Sequence, residues 1–369
     1  MAERTKKRLV VKVGTNTLTG GEDRLARPAM LEVARQIARL VRHGHQVALV
    51  SSGAIVAGRQ ALAVSRNGKD IPFKQVLAAV GQTKLMQMWD ELFSTEGLTV
   101  AQTLLTRGDL ADRQGYLNAR NTLLALLDRQ VVPIINENDV VATEEIKIGD
   151  NDNLSALVAN LIDADLLILL TDQEGLYTAD PRRSATATLI HEVAAITDDI
   201  LALAAGAGTS RGTGGMTTKL QAARLATESG VTVVVAGGTT DNVLVRSVEG
   251  EAIGTRFPSN RTRMESRKRW ILAGLAGRAA AHIDAGAVTA LGRGRSLLPA
   301  GVVNVKGPFD RGDSVNIVGP EGRGVGCGVA NYSAADLERI KGCRSAQITG
   351  ILGYNFGDEV IHRNNVVML

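Results

Sequence analysis

The sequence predicts an α/β protein in which helices cover a mostly parallel sheet, followed by a small β-barrel-like domain. Through about residue 257, short apolar strands alternate with segments whose apolar residues recur at helical spacing. This is the pattern of a parallel sheet that is buried on both faces. After Pro258 the pattern changes to short apolar stretches separated by Gly, Pro and Asp, as in a small barrel or sandwich; the stretches are 302–305, 315–318, 325–329, 347–352 and 360–362. The length of 369 residues also favours more than one domain.

The first predicted elements place basic and small residues at the ends of strands. The apolar run 9–15 predicts a central strand that carries Lys12 to its carboxyl end, and Pro28 opens the helix that follows. A second strand, 47–50, runs into the small-residue turn Ser52-Gly53-Ala54 before a helix. Such a turn lets backbone N–H groups approach an anion. Helices over 76–92 and 117–127 and strands over 100–105 and 131–135 are predicted next.

A cluster of carboxylates and amides follows the strand 131–135 and precedes a helix predicted over 154–162. Its members are Asp139, Asp150, Asn151, Asp152 and Asn153. These groups are poorly suited to burial and repel one another, but the carboxyl end of a strand is where α/β sheets bind ligands. We therefore predict a ligand site here, with Asp152 or Asn153 as the helix cap. A solvated turn is the plainer alternative.

The remaining elements of the first domain supply further groups suited to phosphate. A strand over 166–170 ends at Thr171-Asp172, and the stretch 206–215 holds five glycines before a helix over 217–228 and a strand over 231–235. Phosphoryl transfer needs mainly positioning and stabilisation of charge on the phosphoryl oxygens. Lys12, Lys219 and the glycine-rich turns would supply cations and backbone donors. Asp152 could orient the lysines, since an acid between two ammonium groups fixes their rotamers.

Composition excludes several classes of protein. No apolar run approaches the ~18 residues of a membrane helix. The two cysteines, Cys327 and Cys343, give no disulfide framework, which favours a reducing cytoplasm. No Walker P-loop and no serine-hydrolase elbow occurs, and the five histidines are scattered. Residues 1–255 carry a net charge of −3 and residues 256–369 a net charge of +7. The basic second part could attract a polyanion, and a solvated basic surface without a partner is the alternative.

Seven motifs in a fixed order resemble those of the amino-acid kinase family over about residues 8–255. They are Val11–Thr15, Ser51–Ala54, Asn136–Asp139, Gly149–Ala156, Leu170–Asp172, Gly175–Pro181 and Gly212–Lys219. The resemblance is to members that transfer the γ-phosphoryl group of ATP to the side-chain carboxylate of L-glutamate, the first step of proline biosynthesis. It implies feedback inhibition by proline and a homo-oligomer (dimer or tetramer). Members that act on acetylglutamate, aspartate or UMP share the lysines and glycine loops and remain alternatives.

The resemblance also implies roles for individual residues. Lys12 and Lys219 would stabilise the transferring phosphoryl group, with Asp152 organising them. The glutamate-binding residues would be Ser52, Gly53, Ala54, Asp139 and Asn151. The ATP-binding residues would be Lys12, Thr171, Asp172, Thr213, Gly214, Gly215, Met216, Thr217, Thr218 and Lys219. Mg²⁺ is expected mainly on the phosphates, and its protein ligands stay unassigned.

The C-terminal part resembles a PUA domain. The matching stretches include Asp284–Ala287, Ser296–Val302, Val305–Phe309, Gly312–Val315 and Leu352–Tyr354. We therefore expect a kinase domain over 1–257, a linker over 258–277 and a PUA-like domain over 278–369. PUA domains of other proteins bind structured RNA, so an RNA-binding or RNA-modifying protein is the alternative function. The net acidic α/β domain and the few aromatic residues argue against RNA as the main substrate.

Overall fold

The structure, a computed structural model, describes residues 6–64, 70–142, 151–205, 215–259 and 275–368. The chain divides into two compact units. The first comprises Met1–Ala111 and Asn118–Arg263, and the second Asp112–Leu117 and Met264–Leu369. Most of the predicted linker, 260–274, lies outside the described residues, and a strand of the second unit begins at Leu275.

The first unit is built on a seven-stranded sheet in the order β3-β4-β2-β1-β5-β6-β7. All neighbouring strands are parallel except β6 and β7, so the predicted mostly parallel sheet is confirmed. The strands are β1 (Arg8–Val13), β2 (Gln46–Ser51), β3 (Val100–Leu105), β4 (Val132–Glu137), β5 (Leu166–Thr171), β6 (Thr232–Gly237) and β7 (Thr255–Phe257).

Ten helices belong to the same part of the chain, as far as the structure describes it. They are α1 (Thr15–Thr19), α2 (Arg27–Arg42), α3 (Ala54–Leu62), α4 (Ile71–Thr95), α5 (Arg107–Ala111), α6 (Arg113–Asp128), α7 (Asn151–Leu161), α8 (Asp198–Ala205), α9 (Met216–Glu228) and α10 (Val243–Glu249). Helix α7 begins three residues before the predicted start at 154. The predicted cap at Asp152 or Asn153 is therefore wrong, because both residues lie inside the first turn.

Strand β1 lies at the centre of this sheet, between β2 and β5. After the half-buried Arg8 its residues are all buried, which agrees with a sequence that is apolar from Leu9 to Val13 apart from Lys12. Lys12 is level with Val50 on one neighbour and Leu169 on the other. The chain continues from β1 to β2 on one side and reaches β5 on the other, so the carboxyl end of β1 is the switch point where such sheets form a ligand crevice.

Helix α4 lies unusually close to helix α3, because both carry a glycine at the contact. A Cβ atom on Gly81 would lie 1.8 Å from the carbonyl oxygen of Ala54, and a Cβ on Gly58 would lie 1.9 Å from the carbonyl oxygen of Leu77. Trp89, which is fully buried, adds a second attachment by donating from Nε1 to Ser51 Oγ at 2.9 Å. Helix α4 is thereby fixed against the end of β2 and the start of α3.

The second unit contains a five-stranded, mostly antiparallel sheet in the order β12-β11-β10-β8-β9. Its strands are β8 (Leu275–Ile283), β9 (Val302–Lys306), β10 (Ser314–Val318), β11 (Gly324–Val329) and β12 (Val366–Met368). Helices α11 (Ala285–Gly292), α12 (Ala334–Ile340) and α13 (Ile348–Leu352) accompany it. The apolar stretch 347–352 was expected to add to the β pattern, and this is wrong because most of it forms α13.

Three of the aromatic residues in the second unit pack together. Phe356 lies 5.9 Å from Tyr332 and 5.1 Å from Tyr354 between ring centroids, and Arg311 lies 3.9 Å from the Phe356 centroid. The Tyr354 hydroxyl donates to Asp336 at 2.7 Å, so a carboxylate lies beside the exposed rings. Across the ranges that the structure describes, every helix is too short or too polar to cross a membrane.

Candidate active site

One buried carboxylate joins the two lysines that the sequence singles out. Asp152 is 0% exposed, and Lys12 and Lys219 are each 5% exposed. Lys12 Nζ lies 2.5 Å from Asp152 Oδ1, and Lys219 Nζ lies 3.1 Å from Oδ2. Thr218 Oγ1 also donates to Oδ2, at 3.0 Å. The two ammonium groups thus share one counter-ion.

Three separate elements supply these side chains. Lys12 comes from the carboxyl end of β1, Asp152 from the first turn of α7, and Lys219 from the first turn of α9. The positive end of the helix dipole favours a carboxylate such as Asp152 and disfavours an ammonium group such as Lys219. Burial of two lysines therefore depends on Asp152, since buried charges are tolerated when they are paired.

A second polar cluster lies next to the first, because it uses the residue that precedes Asp152. Asn151 Nδ2 donates to Ser52 Oγ at 3.1 Å and to Asn136 Oδ1 at 2.8 Å. Asn136 Nδ2 in turn donates to Gln82 Oε1 at 2.9 Å. The cluster joins the ends of β2 and β4 to α7 and α4, and its members are buried or half-buried. It is a compact set of amide and hydroxyl groups suited to a small polar ligand.

The turn after β2 has the backbone that the sequence predicts. Gly53 has a φ of 109°, which favours glycine, and its Cα faces Leu18 and Leu25 so closely that an added Cβ would lie 3.2–3.3 Å from them. Ala54 is buried as the first residue of α3. The turn therefore places Ser52 beside Asn151 and leaves little room for a larger side chain at position 53.

Asp139 follows β4 at the same carboxyl edge of the sheet. It is half-buried, and burial raises the pKa of its carboxyl to about 6. The cause is loss of hydration, which disfavours the charged form. A cationic group placed beside Asp139 would reverse that effect, so this carboxylate is suited to an ammonium ligand.

A cavity of about 600 Å³ lies at the carboxyl ends of β5 and β6 and includes Thr171 and Asp172. Thr171 Oγ1 donates to Asp172 Oδ1, and Asn16 Nδ2 donates to Asp172 Oδ2, both at 3.1 Å. The cavity is also lined by Thr17, Gly20, Gly21, Ala29, Glu32, Arg182, Gly238, Thr239, Thr240 and Asp241. Its volume suits a nucleotide-sized ligand.

The glycine-rich segment is described only from Gly215 onward. Gly215 precedes α9 as its cap residue, Met216 is buried, and Thr217 is half-buried. Thr213 and Gly214, both predicted to bind ATP, lie outside the described residues. The same holds for Asp150 in the carboxylate cluster.

The comparisons with known proteins cover both units. The model of the amino acid kinase family matches residues 7–237, and the PUA domain model matches residues 280–352. The chain belongs to the amino acid kinase family. A glutamate 5-kinase from Herpetosiphon aurantiacus is 56% identical over 98% of both chains, and one from Dehalococcoides mccartyi is 52% identical over all of both. A solved UMP kinase from Bacillus anthracis is a more distant match, 16% identical with a TM-score of 0.48 over 70% of this chain and 98% of that one.

These full-length relatives place the chain among the glutamate 5-kinases of the amino acid kinase family. Within this family member, the structure brings Lys12, Asp152 and Lys219 together and places Ser52 beside Asn151. Sequence analysis did not assign a role to Gln82, Asn136 or Asn16. Asn136 lies in a motif that could have drawn attention to it, whereas Gln82 lies in the middle of a long helix without a local signal.

Proposed function

We propose that the protein transfers the γ-phosphoryl group of ATP to the side-chain carboxylate of L-glutamate and forms L-glutamyl 5-phosphate, the first intermediate of proline biosynthesis. The observation that carries this proposal is the pair of buried lysines held by Asp152 beside the cluster of Ser52 and Asn151. The first group suits a transferring phosphoryl, and the second suits an amino acid. Membership of the glutamate 5-kinases supports the pairing of these two substrates.

The proposed reaction is direct in-line attack by a glutamate carboxylate oxygen on the γ-phosphorus. A carboxylate is ionised at neutral pH, so the attacking oxygen needs no general base. Lys12 and Lys219 would stabilise the charge that spreads over the phosphoryl oxygens, and Asp152 would hold both ammonium groups in place before the reaction. Because the lysines are nearly dry, their charge is screened little by water.

The two ends of glutamate would be held by different groups. Asp139 is assigned to the α-ammonium, and Ser52, with the turn at Gly53 and Ala54, to a carboxylate. N-Acetylglutamate and UMP lack a free α-ammonium group, so neither could neutralise the half-buried Asp139. Proline retains an ammonium group and an α-carboxylate, and on this basis we propose that it competes for the same groups as a feedback inhibitor.

ATP would occupy the cavity lined by Thr171 and Asp172 and reach the glycine-rich start of α9, from Thr213 to Lys219. In this arrangement Mg²⁺ would arrive on the phosphates and neutralise their charge. Asp172 and Asp241 on the cavity wall offer carboxylate oxygens of the kind that Mg²⁺ accepts. Asp152 is the poorer candidate ligand, because its oxygens already contact two ammonium groups and a hydroxyl.

We propose neither RNA binding nor a particular oligomeric state for the protein. The exposed rings of Tyr354 and Phe356 could stack on bases, but Asp336 beside them would repel the phosphate backbone. A dimer or tetramer stays a prediction from the family resemblance, and a cytoplasmic location stays a prediction from the cysteine content.

The test is an assay of ATP consumption with glutamate, N-acetylglutamate, aspartate and UMP, in which hydroxylamine traps any acyl phosphate. We expect glutamate alone to give a hydroxamate at a high rate. Product from acetylglutamate or UMP, with none from glutamate, would contradict the proposal. Adding proline to the same assay tests inhibition separately.

A further inference from the structure

A line of hydrogen-bonded amides connects the middle of helix α4 to the proposed glutamate site. Gln82 accepts from Asn136, Asn136 accepts from Asn151, and Asn151 donates to Ser52. The separations are 2.9, 2.8 and 3.1 Å, which are normal for such bonds. Since Gln82 is only 9% exposed and Asn136 3%, water has little access to compete for these contacts.

The direction of this line is set by one backbone carbonyl. Asn151 Nδ2 lies 3.4 Å from the carbonyl oxygen of Ser51, which can only accept a hydrogen bond. The nitrogen of Asn151 must therefore be on that side. Asn136 must then turn its oxygen to Asn151, and its nitrogen must face the oxygen of Gln82. A reversal at any member would place two oxygens or two NH₂ groups against each other.

This direction decides which atoms remain for a ligand. Both N–H bonds of Asn151 are engaged by Asn136 and by the Ser51–Ser52 turn, so the side-chain oxygen of Asn151 is the atom left to accept from a ligand. Ser52 Oγ receives a hydrogen bond from Asn151, which leaves its own hydrogen for an anionic group. Asn151 thus suits an ammonium group, and Ser52 suits a carboxylate.

Gln82 lies at the far end of the line and is held there by helix packing. Its Nε2 is buried and has no hydrogen-bond partner among the described residues. The neighbouring Gly81 brings α4 against Ala54, and Trp89 ties the same helix to Ser51. An unpaired buried N–H group is unfavourable, so an apolar residue at position 82 would make the folded protein more stable. A glutamine is explained here if its side-chain oxygen is needed.

We propose that Gln82 is a positioning residue for the amino-acid substrate, which acts by fixing the amide of Asn136 and, through it, the amide of Asn151. The proposal rests on the proposed function and assigns the Asn151 oxygen to the α-ammonium group of glutamate, together with Asp139. Gln82 itself makes no contact with the reacting atoms. Its loss removes the oxygen that accepts from Asn136, so the Asn136 amide can turn away from Asn151, and Asn151 then loses one of the contacts that hold its oxygen toward the ammonium group.

The test compares Gln82→Met with Gln82→Glu in the full-length protein. Methionine has a similar size but offers Asn136 no oxygen, whereas glutamate keeps an accepting oxygen in either protonation state. Gln87→Met is the matched control, because Gln87 is exposed on the same helix. Each variant is assayed for the KM of glutamate, the KM of ATP and kcat, and its thermal midpoint shows whether it folds.

We expect Gln82→Met to raise the KM of glutamate roughly tenfold, the usual effect of losing one buried hydrogen bond. The KM of ATP and kcat should stay within about threefold, and Gln82→Glu should recover most of the affinity, while Gln87→Met behaves as wild type. Two inhibitors then locate the lost contact. Inhibition by 4-aminobutanoate, which keeps the ammonium group, should weaken in Gln82→Met, whereas inhibition by glutarate, which lacks it, should not.

An unchanged KM of glutamate in Gln82→Met would overturn the proposal. So would a parallel rise in both KM values, or equal weakening of both inhibitors, since a general loosening of the site would act on all ligands alike. A Gln82→Glu variant as impaired as Gln82→Met would also contradict it. Failure of the wild type to make any acyl phosphate from glutamate is a different result, which refutes the proposed function first and this inference with it.

Discussion

Replacing Asp152 by asparagine is the sharpest test of the buried charge cluster. The substitution keeps the shape of the side chain and removes one negative charge. The carboxylate gives Lys12 one oxygen at 2.5 Å and Lys219 the other at 3.1 Å. An asparagine offers a single oxygen and an NH₂ group, so one of the two ammonium groups would face another donor.

The expected effect is large on both stability and catalysis. Removing one partner of a buried ion pair lowers the free energy of unfolding by about 3–5 kcal/mol. Losing one preorganised electrostatic contact in a reaction centre lowers kcat by roughly 10²–10³. We expect both losses here, because the misplaced lysine would no longer reach the phosphoryl oxygens in the correct position.

Destabilisation alone must be separated from a catalytic effect, and the chain offers a matched control. Asp163 pairs with the buried Arg120 at 2.5 Å, at the end of α7 away from the lysines. Asp163→Asn removes the charge of a half-buried carboxylate that is paired with a buried cation, without touching Lys12 or Lys219. It should lower the urea midpoint and leave kcat of the folded protein within about threefold of wild type.

Both variants are compared by urea unfolding and by initial rates at saturating ATP and glutamate. A kcat for Asp152→Asn within a few-fold of wild type would refute the assignment of Asp152 as organiser of the lysines. Equal losses of kcat in Asp152→Asn and Asp163→Asn would show that lost stability, not lysine placement, explains the defect.

Three further predictions follow from single features of the first unit. Since burial raises the pKa of Asp139 to about 6, its charge is present above that pH and lost below it. The KM of glutamate should therefore rise about tenfold for each pH unit below 6 in wild type but not in Asp139→Asn, as a pH series would show. Gly81→Ala should lower the free energy of unfolding, measured in urea, by about 1–3 kcal/mol, because the new Cβ would lie 1.8 Å from the carbonyl oxygen of Ala54. Gly350→Ala is the control and should have little effect, because a Cβ there meets nothing within 4 Å. Asn16→Ala should raise the KM of ATP several-fold and leave the KM of glutamate unchanged, because Asn16 lines the cavity with Asp172. Steady-state kinetics measure both values, and a rise confined to the KM of glutamate would contradict this prediction.

Periodicity in the sequence was enough to predict the sheet of the first unit. The strands of that sheet are short, apolar and buried on both faces, so their pattern differs clearly from that of the helices. The prediction failed where local pattern is ambiguous. The stretch 347–352 is apolar enough for a strand but forms α13, and a run of about six residues cannot distinguish the two by itself.

The candidate site was predictable where residues follow strand ends or glycine-rich turns. Lys12, Ser52, Asp152 and Lys219 all occupy such positions, and the order of the motifs groups them in one site. Gln82 could not be found this way, because its place in the site depends on how closely α4 packs against α3. That packing is a long-range property: Gly81 permits it, but a single glycine in a helix does not show which part of the chain the helix will contact.

Neighbouring residues of one helix turn belong to the two clusters of the proposed site, the amide cluster and the lysine cluster. Successive residues of an α-helix point about 100° apart, so Asn151 can face Ser52 and Asn136 while Asp152 faces Lys12 and Lys219. Placing both residues in the first turn of α7 fixes the distance between an amino-acid cluster and a cationic cluster by backbone geometry alone. A single-residue shift of this turn would bring the amide to the lysines and the carboxylate to the amides. If the proposed function holds, the start of α7 sets the alignment of glutamate and the phosphoryl group more strictly than any individual contact in the site.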